Sequence, residues 1–242
     1  MASFLNMGKK GRLNSVSKTE FSRVHSEPIK RGFEKMFGVP KESFYCYSGI
    51  PESYILDVKN RSFNGDLSTF VYVGEFIKRK CAISIIPAIN EAYAHKNFKI
   101  NFVGRGSELG QMKSITEALS LSKNISFLGH VPRDEIVTIL DDADCMIMIS
   151  KNEAFGLVYL EAMARGCITI GSLNEGIDGI INHGVNGFLC QAGSEKDLTR
   201  LVLHINSLSS MKRLEISQNA IRTAKNLTDN MAAHKYISAL DR

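Results

Sequence analysis

Two carboxylates flank the stretch of this chain whose residue types are best suited to ligand chemistry. Glu153 precedes Phe155-Gly156-Leu157, and Glu161 follows in the same stretch after seven intervening residues. A helix that begins near Gly156 would place Glu161 more than one turn inside it, and the unpaired N–H groups of its first turn would favour an anion such as a diphosphate. We therefore expect the two carboxylates to bind hydroxyl groups on different parts of one extended ligand.

An alternative interpretation needs no ligand. An acidic residue just before a helix stabilises the helix dipole, and a second Glu farther along can lie on a solvated face. The spacing by itself describes both interpretations equally well.

The segments around this stretch predict a β-α-β unit. The apolar run from Asp144 to Ser150 is typical of a strand buried on both faces of a parallel sheet, and Gly166 ends the helix before the β-branched run at 168–170. Strands and helices alternate from Thr69 onward, which predicts an α/β fold with a doubly wound parallel, Rossmann-like sheet. The predicted strands are 70–73, 98–103, 125–128, 144–150, 168–170 and 188–190, and the other helices are about 82–93, 108–121, 132–142, 195–208 and 211–225.

The chain before Thr69 lacks this alternation. A helix is predicted at about 26–37 and a short strand at about 44–47. Farther along, Pro87 should lie in the first turn of its helix or force a kink.

The composition is that of a globular chain with its own core. Of the 242 residues, 44% are hydrophobic and 23% are charged. The N-terminus has no apolar leader, and no stretch approaches the roughly 20 apolar residues of a membrane span, so we expect a cytoplasmic protein.

The cysteines are scattered and without Cys-x-x-Cys spacing, so we expect them to be reduced core residues and not disulfides or metal ligands. They are Cys46, Cys81, Cys145, Cys167 and Cys190. No other cluster with metal-ligand spacing is evident, so we expect no metal site.

The net charge of +5 is unevenly distributed. Residues 1–67 carry eleven Lys and Arg against seven Asp and Glu, and the remainder carries nineteen against eighteen. A peripheral contact with anionic lipid, at the inner face of a membrane, would therefore involve the N-terminal segment, although an ordinary solvated surface is the favoured explanation of the charge. We expect no nucleic-acid partner.

The central stretch resembles a known donor-site motif. Glu153 and Glu161, with Phe-Gly-Leu after the first and Ala-Met-Ala-x-Gly after the second, look like the motif of retaining glycosyltransferase family 4, the glycosyl transferases of group 1. The resemblance implies the C-terminal donor-binding domain, which is one half of a GT-B architecture. Residues 68–242 would form this domain, and residues 1–67 would be the tail of the acceptor domain and a linker.

The resemblance also implies a role for individual residues. Glu153 would bind hydroxyls of the donor sugar, Glu161 the ribose, and Lys80 the diphosphate. Glu153 and Lys80 would be the catalytic residues. The backbone N–H groups of the following residues would assist departure of the nucleotide: Phe155, Gly156 and Leu157.

Other matches lie at predicted strand ends. The family usually has Arg directly after Gly74, where this chain has Glu75, which reverses the charge unless Arg79 substitutes. His130-Val131 resembles the strand end whose backbone faces the nucleotide base, although for His130 alone an ordinary surface histidine is the favoured interpretation. Glu175 and Asp178 are further candidate sugar contacts.

The implied activity is transfer of a hexosyl group, with retention, from a UDP- or GDP-linked sugar to a glycan or lipid-linked acceptor in polysaccharide or glycoconjugate biosynthesis. We expect no cofactor besides the nucleotide-sugar substrate. The acceptor half would be missing or on another chain, so a non-catalytic nucleotide-sugar binding module or an inactive fragment is the alternative. A dinucleotide enzyme is disfavoured because Gly104-Arg105-Gly106 lacks the third glycine of that fingerprint.

Overall fold

The computed structural model describes residues 21–24, 27–37, 39, 42–45, 47–93, 95 and 97–240. The strands are β1 (Phe21–Val24), β2 (Glu42–Tyr45), β3 (Thr69–Val73), β4 (Lys99–Val103), β5 (Ile125–Gly129), β6 (Cys145–Ile147), β7 (Ile168–Ser172) and β8 (Phe188–Cys190). The helices are α1 (Glu27–Phe37), α2 (Ile85–Ala92), α3 (Leu109–Ala118), α4 (Arg133–Asp141), α5 (Leu157–Ala164), α6 (Glu195–Ser207), α7 (Ser210–Lys225) and α8 (Asp229–Leu240). Short 3-10 turns cover Glu52–Ile55, Lys78–Lys80 and Ala82–Ser84.

Six strands form one parallel sheet in the order β5-β4-β3-β6-β7-β8, and β1 and β2 pair separately. Every residue of β6, β7 and β8 is buried, as expected of strands that are covered on both faces. Helix α2 packs against α6, and α5 packs against α7. The predicted doubly wound α/β fold is confirmed.

The element predictions differ from the structure mainly near the ends of the described chain. Strand β1 and helix α8 were not predicted, and the strand predicted at 44–47 lies at Glu42–Tyr45. In α8 the apolar residues Met231, Tyr236 and Ile237 are exposed, so the helix has no buried apolar stripe that would reveal it in the sequence. Pro87 is the third residue of α2 and therefore lies in its first turn, as predicted.

The segment before β3 packs firmly on the sheet domain. Ile50, Tyr54, Phe63 and Leu67 are all buried in its core. The Arg61 guanidinium donates to carbonyl oxygens of Arg165, Ala143 and Leu140 at 2.7–2.9 Å. The division of the chain at residue 67 stays a prediction, and residues 1–20 of the proposed N-terminal segment lie outside the described residues.

Four cysteines are free and buried, as predicted: Cys81, Cys145, Cys167 and Cys190. Cys46 lies outside the described residues. Among the described helices, none combines the length and the apolar character that a membrane crossing requires.

Candidate functional site

The topological switch point of the sheet lies between β3 and β6. The sheet continues through β4 and β5 on one side of this pair and through β7 and β8 on the other. Open α/β sheets bind ligands in the crevice at such a point, outside the carboxyl ends of the strands. The loop after β3 carries Lys80 and the loop after β6 carries Glu153, so both residues lie at this crevice.

Lys80 and Glu153 form an ion pair across the crevice, with Nζ of Lys80 donating to Oε2 of Glu153. The two side chains are only 13% and 10% exposed. Charges that are shielded from water interact more strongly than surface charges, because little solvent screens them. The structure therefore brings together a cation and a carboxylate that lie 73 positions apart in sequence.

Glu175 holds the loop that carries Glu153. One oxygen of its carboxylate accepts the N–H of Asn152 at 3.0 Å, and the other accepts the N–H of Glu153 at 2.8 Å. The N–H of Gly176 donates to the Glu153 carbonyl at 2.8 Å, and a Cβ on Gly176 would lie 2.1 Å from the Ala154 carbonyl oxygen. The segment after β7 thus fixes the backbone of Glu153 at close range.

Gly156 is required where the chain turns into α5. Its φ of 75° lies in the left-handed region, and a Cβ there would lie 2.6 Å from the Tyr159 ring and 2.9 Å from Cε of Met148. The Tyr159 hydroxyl in turn donates to the Met148 carbonyl at 2.6 Å. The turn, and with it the start of α5, is therefore set by packing as well as by backbone conformation.

The start of α5 presents unpaired donors. Within the described part of the chain, no acceptor bonds the N–H groups of Phe155, Gly156 or Leu157, and no side chain caps the helix. Phe155 itself is buried and stacks on Tyr47, with ring centroids 5.9 Å apart. A helix N-terminus with free N–H groups and a positive dipole end favours an anion.

The loop after β3 is joined to its neighbours through the backbone. The N–H of Gly74 donates to the Val103 carbonyl at 2.9 Å, and the N–H of Lys151 donates to the Arg79 carbonyl at 2.6 Å. The Arg79 side chain lies 3.9 Å from Glu75, and both side chains are exposed. Such a pair is weak, so it restrains Arg79 little.

Glu161 lies inside α5 and is only 7% exposed, so it does not occupy a solvated helix face. Its Oε1 accepts from Nη2 of Arg133 at 2.7 Å and from Nε of the same guanidinium at 3.2 Å. Burial by itself lowers the pKa of Arg133, but the hydrogen bond and charge of Glu161 more than offset this, and the pKa lies above its usual value. The pair joins the first residue of α4 to the second turn of α5.

The strand end after β5 lies beside this pair. His130 is exposed, and Val131 is half-buried against the core. A cleft of about 390 Å³ opens next to Arg133 and Leu157, and Tyr47 and Tyr236 also line it. The cleft is shallow and open to solvent over most of its extent.

Two core tyrosines near Glu153 keep their protons. Burial raises the pKa of Tyr159 well above its usual value, and the charge of Glu153 adds to the shift. The same two causes, in the same order, raise the pKa of Tyr72. Neither phenol is suited to release its proton near neutral pH.

Sequence reasoning missed two partners of the site. Arg133 falls in the helix predicted at about 132–142, but nothing in its spacing indicates a contact with Glu161, which lies 28 positions away. Glu175 was a candidate sugar contact, whereas the structure engages both of its oxygens with backbone N–H groups. Asp178 likewise accepts the N–H of Asn174 at 2.7 Å. Among the described residues, no group of three or more His, Cys, Asp or Glu is arranged to hold a metal ion.

Comparison with known proteins gives a family match over most of the sheet domain. The family model described as "Glycosyl transferases group 1" matches residues 56–226. N-acetyl-alpha-D-glucosaminyl L-malate synthase of Bacillus anthracis is 32% identical over 123 residues, which are 51% of this chain and 32% of that protein. The human GDP-Man:Man(3)GlcNAc(2)-PP-Dol alpha-1,2-mannosyltransferase is 28% identical over 138 residues, which are 55% of this chain and 28% of that protein.

A solved structure gives the same picture of the fold. HepE of Anabaena, in complex with UDP and glucose, superposes with a TM-score of 0.77 at 19% identity, over 95% of this chain and 65% of HepE. The matched part of this chain thus spans about a third or less of the two curated relatives, while the fold covers about two thirds of HepE.

Proposed function

Because the chain belongs to the group 1 glycosyltransferases, we propose that it is the donor-binding half of a retaining enzyme that transfers a hexosyl group from a UDP- or GDP-linked sugar. The observation that supports this most is the shielded Lys80–Glu153 pair at the switch point, beside the unpaired N–H groups at the start of α5. A cation, a helix N-terminus and a carboxylate at one crevice suit a ligand with a diphosphate and sugar hydroxyls.

The diphosphate is the part of the donor that becomes more negative as the sugar leaves. Lys80 and the N–H groups of Phe155, Gly156 and Leu157 provide fixed positive charge and hydrogen-bond donors for it. Preorganised groups of this kind stabilise developing charge without reorganisation, so the proposal requires no metal ion.

Glu153 then has two partners at different stages. Without the donor it neutralises Lys80, and with the donor it accepts hydrogen bonds from sugar hydroxyls while Lys80 turns to the phosphates. The backbone bonds from Glu175 and Gly176 keep Glu153 at the crevice throughout this exchange. Glu161 accepts from the ribose, and the cleft beside Arg133 and Leu157 receives the nucleoside. The backbone of His130 and Val131, which precede Arg133 in the chain, faces the base.

The acceptor is a glycan or a lipid-linked molecule on the cytoplasmic side, in the assembly of a polysaccharide or glycoconjugate. The residues that bind the acceptor belong to the acceptor half of the GT-B architecture, which precedes this half in a longer protein or lies on another chain. This chain by itself should therefore bind the donor without transferring sugar. The second candidate function is that of a non-catalytic nucleotide-sugar binding module. It is compatible with the comparisons, because the matched part covers only 32% and 28% of the two relatives' length.

Calorimetric titration of the purified chain with UDP, GDP and their hexose conjugates tests donor binding. We expect one of the two bases to be preferred and the sugar conjugate to bind through the same site. Absence of binding to every nucleotide would contradict the proposal. Efficient transfer to an added acceptor by this chain alone would contradict the assignment as one half, whereas transfer that appears only with the second half would exclude a non-catalytic module.

A further inference from the structure

Contacts with Tyr54 hold Arg133 beside the carboxylate of Glu161. Its backbone carbonyl accepts the hydroxyl of the buried Tyr54 at 3.0 Å, and its guanidinium carbon lies 5.9 Å from the centre of the Tyr54 ring. The guanidinium is thus held over an aromatic face, although 55% of the Arg133 side chain is exposed. From there Nη2 and Nε both donate to the same oxygen of Glu161.

This geometry divides the two oxygens of the Glu161 carboxylate. Oε1 accepts two hydrogen bonds from Arg133 and is therefore occupied. None of the described residues donates a hydrogen bond to Oε2. Oε2 is not a fully buried atom either, so solvent reaches it. One oxygen is committed to the protein, and one is open to a ligand.

We propose that Arg133 is a specificity-determining positioning residue, which occupies Oε1 of Glu161 so that the carboxylate reads only one of the two ribose hydroxyls, through Oε2. This inference rests on the proposed donor site. It changes the expectation for Glu161, because a free carboxylate can accept from both hydroxyls of a ribose at once.

The test compares three diphosphates of the preferred base: the ribonucleotide, its 2′-deoxy form and its 3′-deoxy form. In the unaltered chain one deoxy form should bind about tenfold more weakly than the ribonucleotide, and the other within about twofold of it, since loss of one hydrogen bond to a charged group has roughly this effect. In Arg133→Met, Oε1 is released, and the tolerated deoxy form should also become about tenfold weaker than the ribonucleotide.

Arg200→Met is the matched control. Arg200 is an exposed arginine on α6 that lies 3.6 Å from Asp197, so its removal deletes the same charge and the same type of side chain. This variant should keep the single-hydroxyl pattern. Arg133→Ala serves as a second variant, and thermal melting shows that each variant is folded before its affinities are compared.

Several results would overturn the proposal. Discrimination against both deoxy forms by the unaltered chain would show that the carboxylate already accepts from both ribose hydroxyls despite Arg133. Equal losses for all three nucleotides in Arg133→Met would show that Arg133 contacts the ligand itself, and unchanged or abolished selectivity would refute the division of the oxygens. If Glu161→Ala also leaves all three affinities unchanged, the ribose role of Glu161 fails first, and the two failures are thereby distinguished.

Discussion

The proposed donor site contains two ion pairs, one at its diphosphate end and one at its ribose end, and the two pairs are built differently. Lys80 and Glu153 come from loops, and both side chains are almost fully shielded from solvent. Arg133 and Glu161 come from two helices, and only the carboxylate is shielded, because 55% of the Arg133 side chain is exposed. The cation therefore differs much more between the two pairs than the carboxylate does.

This difference has energetic consequences. Removing one partner of a shielded pair leaves an uncompensated charge in a poorly solvated place, which costs several kcal/mol, whereas an exposed charge is readily solvated. We therefore expect the Lys80 end to dominate affinity through the diphosphate. The Arg133 end should instead determine the selectivity for ribose hydroxyls, because Arg133 occupies one oxygen of the Glu161 carboxylate.

The largest expected effect is that of Lys80→Ala. It should weaken nucleoside diphosphate binding by about 3 kcal/mol, because the diphosphate loses a shielded cation and instead faces the uncompensated charge of Glu153. Binding of the plain nucleoside should change little. Calorimetry with both ligands measures the difference, and Lys78→Ala, which removes an exposed lysine two positions away, is the control. Equal losses of affinity for the nucleoside and for the nucleoside diphosphate would show that Lys80 does not act through the diphosphate.

Glu161→Ala should erase most of the preference for the ribonucleotide over the deoxy form that the unaltered chain binds poorly. The expected coupling is about 1.5–3 kcal/mol, since a charge-assisted hydrogen bond to a hydroxyl is lost. Four dissociation constants, for two proteins and two nucleotides, close a thermodynamic cycle that separates this interaction from changes in charge or fold. Glu117→Ala, at an exposed position in α3, provides the comparison. A cycle without coupling would mean that Glu161 is not the ribose ligand.

Glu175→Gln tests the support of the Glu153 loop. In the amide an NH2 group replaces one of the two carboxylate oxygens, and it cannot accept the N–H that this oxygen now accepts, so the free energy of unfolding should fall by about 1–2 kcal/mol. Affinity for the nucleotide sugar should fall more than affinity for the nucleoside diphosphate, because the sugar depends on Glu153. Asp178→Asn is the control in the same segment, and its single bond to Asn174 can be kept by an amide oxygen. Denaturant unfolding that gives the same stability for both variants would refute the supporting role.

The smallest effect is expected for Glu75→Arg. Glu75 is exposed and only loosely paired with Arg79, so reversal of its charge should tighten nucleoside diphosphate binding by on the order of 1 kcal/mol. Glu75→Gln should give about half of that gain. Calorimetry at two salt concentrations checks it, because an effect of exposed charge must shrink as salt is added. A loss of affinity would indicate that Glu75 restrains Arg79 in a useful position.

The sequence alone determined the features that arise from local patterning. Buried runs such as 144–150 and the helical spacing after Gly156 follow from short-range periodicity, so the parallel α/β sheet and the start of α5 could be predicted. The same holds for the position of Glu161 within its helix. Helix α8 could not be predicted in this way, because its exposed apolar residues form no buried stripe.

Only the tertiary structure decided which charges meet. Lys80 pairs with Glu153 because the strand order places β3 beside β6. Arg133 pairs with Glu161 because the fold brings the start of α4 to the second turn of α5. Glu175 supports the Glu153 loop for the same reason, from the segment after β7. Contacts between residues 22 to 73 positions apart depend on how the strands are ordered, and no local spacing encodes that order.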